Sequence, residues 1–375
     1  MQAGFSNSGF FYKRAALIGT GLIGGSLGIA LRERRLVESI AGYDRDRRSL
    51  EAALKKGAVD EVAGTPAKAA RGADLIILAV PVLSTVELLR EILPAVWEGA
   101  VITDVGSTKS WIMEETAGLM PPSVHFIGGH PMAGSEDSGI MAADAAMLEN
   151  AIYVLTPAPG CPAPILDNLE KMLRETGAQT LILDPDTHDR VVAAVSHLPQ
   201  VVAAALVQSV AGTENKELIQ TLAAGGFRDS TRIALSNPGL WRDICLSNSR
   251  ALSKALSSFR DSIDSIKKYL AEGNAEAIEE FFREGRDYRR DIPYRGRGIL
   301  PELYEVVVLI RDTPGAIGHL AGLLGEAGIN IDAIEIMHVR ELAGGSIRLG
   351  FRNQDHQQQA LELLTRKGYC AHRKQ

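Results

Sequence analysis

Gly19-Thr20-Gly21-Leu22-Ile23-Gly24 forms a GxGxxG turn between the apolar run RAALI and a stretch with helical periodicity. Gly19 permits the tight turn, Gly21 lets the backbone approach a pyrophosphate, and Gly24 allows a helix to pack closely on a strand. The amides of the helix start, with Leu22 and Ile23 among its first residues, can hold phosphate oxygens. Asp44 stands 20 residues beyond Gly24 at the end of a second β-type run. A carboxylate there accepts both ribose hydroxyls of NAD and repels the 2′-phosphate of NADP. Arg45, Arg47 and Arg48 follow and soften that exclusion, so NAD is favoured. Val80 and Pro81, closing the run DLIILAV, complete the expected cofactor contacts. A glycine turn with no ligand is the bland alternative, and the acidic residue in register weighs against it.

Two further residues could do chemistry. His130 is a proton acceptor suited to neutral pH, because an imidazole has an ordinary pKa of roughly 6.5. Arg232 carries a planar fork that binds a carboxylate bidentately.

These residues need a scaffold, and the hydrophobic patterning supplies one. Runs RAALIG, SIAGYD, DLIILAV, AVITDV, HFIGG, AIYVLT and TLILD alternate with helical stretches, which predicts a Rossmann-type doubly wound α/β sheet over residues 14–185. From 186 to 292 the β runs stop and long apolar helical periodicity takes over, as in DRVVAAVSHLPQVVAAALVQSV, so this part is expected to be all-α. Helices apolar nearly all round need central burial or a second copy of the chain, which points to a homodimer. A Pro, Arg and Gly-rich linker is expected at 293–301. Residues 302–375 then read βαββαβ, the order of a ferredoxin-like fold.

Composition excludes several function classes. The 375 residues have a net charge of −6 and no basic block, which argues against nucleic-acid or membrane binding. Three scattered cysteines give neither a disulfide framework nor a metal site, and a reducing cytoplasm fits them. The run Ala15 to Leu31 is interrupted by glycines and reads as buried strand and helix rather than a membrane span. Residues 1–13 lack a charged start followed by an apolar stretch and are expected to be a frayed leader, not a signal peptide.

The motifs TDVGSTK (103–109), GGHPMAGSE (128–136), SHLPQ (196–200) and GGFRDSTRIA (225–234), taken in order, resemble the prephenate and arogenate dehydrogenase family. The terminal segment RDTPGAIGHLAGLLGEAGINI resembles an ACT domain, an amino-acid-binding module attached to some members. The resemblance implies oxidation and decarboxylation of prephenate with NAD, on the way to tyrosine. It implies that His130 manages the ring-hydroxyl proton and that Arg232 anchors a substrate carboxylate, with Ser135 and Glu136 beside the substrate. Ser107, after the VITDV run, is expected to donate to His130 and the substrate hydroxyl, or to cap the following helix. Arg228 and Asp229 are expected either to orient Arg232 through an ionic network with Glu136 and Asp189, or to form a solvated pair.

SHLPQ departs from the family pattern, since members often carry a second histidine where Gln200 stands. A neutral amide there leaves open how the substrate carboxylate is met, and whether prephenate, arogenate or both are used. Ser196 keeps a polar donor in the same turn, and His197 reads as a structural hydrogen-bonding residue. In the ACT-like segment, Asp312, Gly315, Ala316 and Asn330 are the expected amino-acid site, with tyrosine the natural regulator; a domain kept only for association is the alternative.

Two other readings compete. A β-hydroxyacid dehydrogenase shares the glycine turn, but would place a lysine on the helix over 191–215, where this chain has none. A non-catalytic, NAD-gated amino-acid sensor is the second, and His130 with Arg232 in their motifs weigh against it.

Overall fold

The structure is a computed structural model that describes residues 9–134, 137–212, 214, 216–292, 303–310, 313–337 and 345–373. The chain divides into two compact units, residues 1–293 and 294–375. The expected linker, 293–301, lies outside the described residues.

In the first unit, strands β1 (Tyr12–Ile18), β2 (Val37–Tyr43), β3 (Glu61–Val62), β4 (Leu75–Leu78), β5 (Val101–Asp104), β6 (His125–Pro131), β7 (Ile152–Pro157) and β8 (Gln179–Ile182) make one sheet. Their order is β3-β2-β1-β4-β5-β6-β7-β8. The first six run parallel, β7 pairs antiparallel with β6, and β8 pairs parallel with β7. Continuous apolar runs such as LIIL make central strands buried on both faces. Ala15, Leu17, Leu75 and Ile77 enter one core, while Ala16, Ile18, Ile76 and Leu78 enter the other. That alternation is the period-two geometry of a strand between two helical layers.

Two expectations change here. Of the expected leader, 1–13, residues 1–8 lie outside the described residues, while Tyr12 and Lys13 belong to β1 and the buried Tyr12 pairs with Val37. The sheet also gains the two-residue strand β3, too short and too exposed to show an apolar pattern.

After β8, Asp184 caps a helix by accepting from the Thr187 amide, with Pro185 at its first position. This helix (Pro185–Val192) passes through a π-helical turn (Ala193–His197) into the helix Leu198–Ala211. The whole stretch is long and apolar enough to cross a membrane, yet only 28% of its most apolar window is buried within this copy. The helix Ser249–Glu272 buries only Leu252, and no residue of Ala275–Asp291 is buried. So much unsatisfied apolar surface calls for a covering partner.

The second unit has strands β9 (Tyr304–Ile310), β10 (Ala333–Met337), β11 (Gly345–Phe351) and β12 (Cys370–Arg373) in the antiparallel order β10-β11-β9-β12. Helices Ala316–Glu326 and Gln354–Arg366 cover one face. Val306, Val308, Ile347, Leu349 and Phe351 meet Leu320, Leu324, Ala360 and Leu364 in its core. This is the expected ferredoxin-like arrangement.

Candidate active site

The glycine turn sits where β1 hands over to the helix Leu22–Glu33, at the point where the strand order reverses between β1 and β4. Ligands of open α/β sheets bind in that crevice. Gly19 has φ +97°, and a Cβ there would lie 2.1 Å from the Ala79 carbonyl oxygen. A Cβ on Gly24 would lie 2.1 Å from the Gly19 carbonyl oxygen, whereas one on Gly21 would meet nothing within 4 Å. Gly19 and Gly24 therefore serve the fold, and Gly21 keeps open the space a pyrophosphate needs. Asp44 is half-buried, and its Oδ2 accepts from the Thr20 amide at 2.6 Å and the Thr20 hydroxyl at 2.9 Å. Its Oδ1 accepts from the Asp46 amide at 2.9 Å. These bonds fix the carboxylate at the mouth of the crevice. Arg45 is exposed beside it, Val80 is half-buried against Gly19, and Pro81 is exposed. The cradle fits NAD: open backbone at Gly21, a free helix start at Leu22 and Ile23, and a fixed ribose acceptor.

His130 lies near the carboxyl end of β6 with 8% of its surface exposed. Its Nδ1 is 2.8 Å from Nε2 of His188, whose Nδ1 is 2.8 Å from Oδ1 of Asp189. Burial first, then the neighbouring His188, Lys109 and His197, push the His130 pKa well below 6.5. A buried, neutral imidazole is a competent proton acceptor. Beneath it, the Lys109 ammonium pairs with Asp104 and donates to the Gly129 carbonyl at 2.7 Å. Asp104 Oδ1 accepts from the Gly129 amide at 3.0 Å, so this buried pair fixes the residue before His130.

The other expected residues divide between those brought here and those placed elsewhere. Ser107 is half-buried after β5, but makes no hydrogen bond to His130 among the described residues. The neighbouring Thr108 instead donates to Ser247 at 2.9 Å. Among the described residues Asp189 meets no arginine and accepts instead from the Lys109 and Ser110 amides at the start of the helix Ser110–Ala117 and from His188. Arg228 and Asp229 are exposed, as the solvated alternative expects. Arg232 is exposed at the start of a 3-10 turn, Arg232–Leu235. Gln200 is buried and donates to the Ile233 carbonyl at 2.8 Å, so one N–H of its amide braces the Arg232 turn and leaves its oxygen and second N–H for other partners. Ser196 is half-buried in the π-helical turn. His197 is buried, accepts from Asn248 at 3.2 Å and packs edge-on against Trp241. Ser135, Glu136 and Asp312 lie outside the described residues. In the second unit Gly315 takes φ +85° ahead of the helix Ala316–Glu326, and Asn330 bonds Asp332 at 3.3 Å.

Residues 27–182 match the family model "Prephenate dehydrogenase, nucleotide-binding domain", 184–284 match "Prephenate dehydrogenase, dimerization domain", and 304–365 match "ACT domain". The prephenate dehydrogenase of Bacillus subtilis is 36% identical over 350 residues, 93% of this chain and 94% of its own length. The chain belongs to the prephenate dehydrogenase family. Among solved structures, that of Aquifex aeolicus prephenate dehydrogenase with hydroxyphenyl propionate and NAD+ matches with TM-score 0.70 and 30% identity, over 75% of this chain and 98% of that one. The arogenate dehydrogenase of Synechocystis matches with TM-score 0.65 and 32% identity, over 75% and 100%. The chain is thus an NAD-dependent dehydrogenase with an ACT domain, and its long apolar helices fall within the dimerisation segment.

Sequence reasoning missed His188, Lys109, Asp104 and Asn248. Lys109 and Asp104 stand in the TDVGSTK motif, where an aspartate ending an apolar run and a lysine five residues on were signal enough for a pair. His188 carries no local signal, being one polar residue in the first turns of a helix.

Proposed function

We propose that the enzyme oxidises and decarboxylates prephenate to 4-hydroxyphenylpyruvate within tyrosine biosynthesis in the cytoplasm, working as a homodimer. The observation that carries this reading is the buried, neutral His130 held beside an NAD cradle. His130 accepts the ring-hydroxyl proton as the carbinol becomes a carbonyl. Bound NAD supplies the hydride acceptor. The electron pair of the bond to the departing carbon dioxide then enters the ring, and aromatisation turns that carbonyl into a phenolate, which recovers the proton from His130. Arg232, on a turn braced by Gln200, anchors a substrate carboxylate, since burying one unpaired is costly. The deciding assay follows NADH absorbance with prephenate and, separately, arogenate. Inactivity with both would refute the reading. Arogenate or dual use is the second reading, because Gln200 stands in place of the family's frequent histidine and a neutral amide does not select between the two substrates; higher kcat/KM with arogenate would establish arogenate use.

The cofactor preference is tested by Asp44→Ser, which should narrow or reverse the preference for NAD over NADP by removing the charge that repels a 2′-phosphate. An unchanged ratio of kcat/KM values would exclude Asp44 as the discriminator.

Tyrosine is proposed to bind the ACT domain around Gly315, Ala316, Asn330 and Asp312. Two sites coupled by typically ~1–3 kcal/mol change affinity about 5- to 150-fold. Deleting residues 302–375 should therefore leave an active dehydrogenase less sensitive to tyrosine. Equal, purely competitive inhibition of both forms would place tyrosine in the active site instead.

A further inference from the structure

We propose that His188 and Asp189 are a positioning pair that fixes the tautomer of His130, leaving its Nε2 lone pair for the substrate hydroxyl. The proposal deepens the reading of His130 as the base and rests on it. Asp189 Oδ1 accepts from the Lys109 amide at 2.7 Å and from His188 Nδ1 at 2.8 Å, and Oδ2 accepts from the Ser110 amide at 2.8 Å. Burial alone would raise its pKa, but the bonds from His188, Lys109 and Ser110 outweigh it and hold the carboxyl below the usual range.

An ionised carboxylate only accepts hydrogen bonds, so the proton of the facing ring must sit on His188 Nδ1. Neutral His188 then presents a lone pair at Nε2, 2.8 Å from His130 Nδ1. Two lone pairs cannot share that contact, so His130 carries its one proton on Nδ1. The lone pair falls to Nε2. All three side chains are buried, with His188 1% and Asp189 3% exposed, so water does not compete for these bonds. The same chain serves the protonated base, because the imidazolium keeps its Nδ1–H bond to His188 while the Asp189 charge offsets its own.

The other charged or titratable groups acting on His130 leave this assignment intact. Lys109 is engaged by Asp104 and the Gly129 carbonyl, and His197 Nδ1 accepts from Asn248, which also donates to the Asp189 carbonyl. His130 and His188 meet edge-on, their ring planes 72° apart, so the contact is in-plane hydrogen bonding rather than stacking.

The test uses the full chain and compares His188→Leu, which has no acceptor, with His188→Gln, whose amide oxygen can replace it. His188→Leu should lower kcat by about ten- to a hundredfold, a share of what a general base contributes, with KM within about twofold. The acid limb of the kcat profile should move, His188→Gln should recover much of the loss, and 15N spectra of labelled histidine should show His130 leaving the Nδ1–H form. Asp189→Asn supplies a second arm if the leucine variant does not fold: its amide can donate to His188 Nδ1 and invert the relay, so the same kcat loss is expected. Wild-type kcat with an unchanged His130 tautomer in His188→Leu, or wild-type kcat in Asp189→Asn, overturns the proposal. Turnover surviving in His130→Asn would overturn the base assignment, whereas an inactive His130→Asn beside a fully active His188→Leu overturns the positioning pair alone.

Discussion

His130→Asn is expected to lower kcat by at least about a hundredfold, the usual contribution of a general base, while NAD affinity holds. Asparagine is close in size and keeps a polar group beside His188, but it cannot take up a proton. NAD affinity should survive because Gly19 to Gly24 and Asp44 are held by bonds of their own, among them those from Thr20 and Asp46. The pH profile adds a signed test. A base works deprotonated, so activity is present above its pKa and falls as pH drops through it. Burial and the neighbouring His188, Lys109 and His197 hold that pKa well below 6.5, which places the acid limb of kcat/KM below the ordinary histidine range. The linkage to stability has the same sign: the unfolded chain binds this proton more readily, so the contribution is full above about pH 6.5 and is lost as pH falls toward the lowered folded value. Stopped-flow NADH formation and NAD titration of the variant decide the matter. Near wild-type turnover would remove His130 from the mechanism.

What could be read from the sequence was whatever rests on local spacing. The glycine turn, Asp44 in register and continuous apolar runs such as LIIL marked the sheet and the cofactor cradle, because each is a constraint between neighbours in the chain. His130 was legible through its motif. Its partner was not, since His188 lies 58 residues away and becomes significant only when the helix Pro185–Val192 is laid against β6. The sequence offers Asp189 as one more charge for an arginine network, beside the solvated alternative, without showing that two backbone amides at a helix start already claim this carboxylate. The π-helical turn that carries Ser196 and His197 was equally hidden: one extra residue per turn leaves the apolar run looking like ordinary helix. The reversal of β7 depends on a connection through residues 132–151, where short 3-10 turns replace a crossover helix and no periodic signal exists.

Lys109→Met should cost about 3–5 kcal/mol of unfolding free energy, the expense of stranding one member of a buried ion pair. Lys109 and Asp104 are buried essentially completely, at 0% and 1% side-chain exposure. Burial pulls the lysine pKa below its ordinary value even against the attraction of Asp104 and Asp189, so desolvation already weighs heavily on the pair. Methionine fills the volume of the stem, which passes close to Gly128, and so separates loss of charge from loss of packing. What it leaves is a buried carboxylate with, among the described residues, the Gly106 and Gly129 amides as donors, at 2.8 and 3.0 Å, and a Gly129 carbonyl without its ammonium. Asp104→Asn in the same chain removes the stranded charge while its carbonyl oxygen can still accept from Gly129. The double variant should therefore be more stable than Lys109→Met alone, a coupling between neighbours that a mutant cycle measures. Urea unfolding of both variants at fixed protein concentration and neutral pH reads the cost and the coupling. A cost under about 1 kcal/mol would show that the pair contributes no more than a surface salt bridge does.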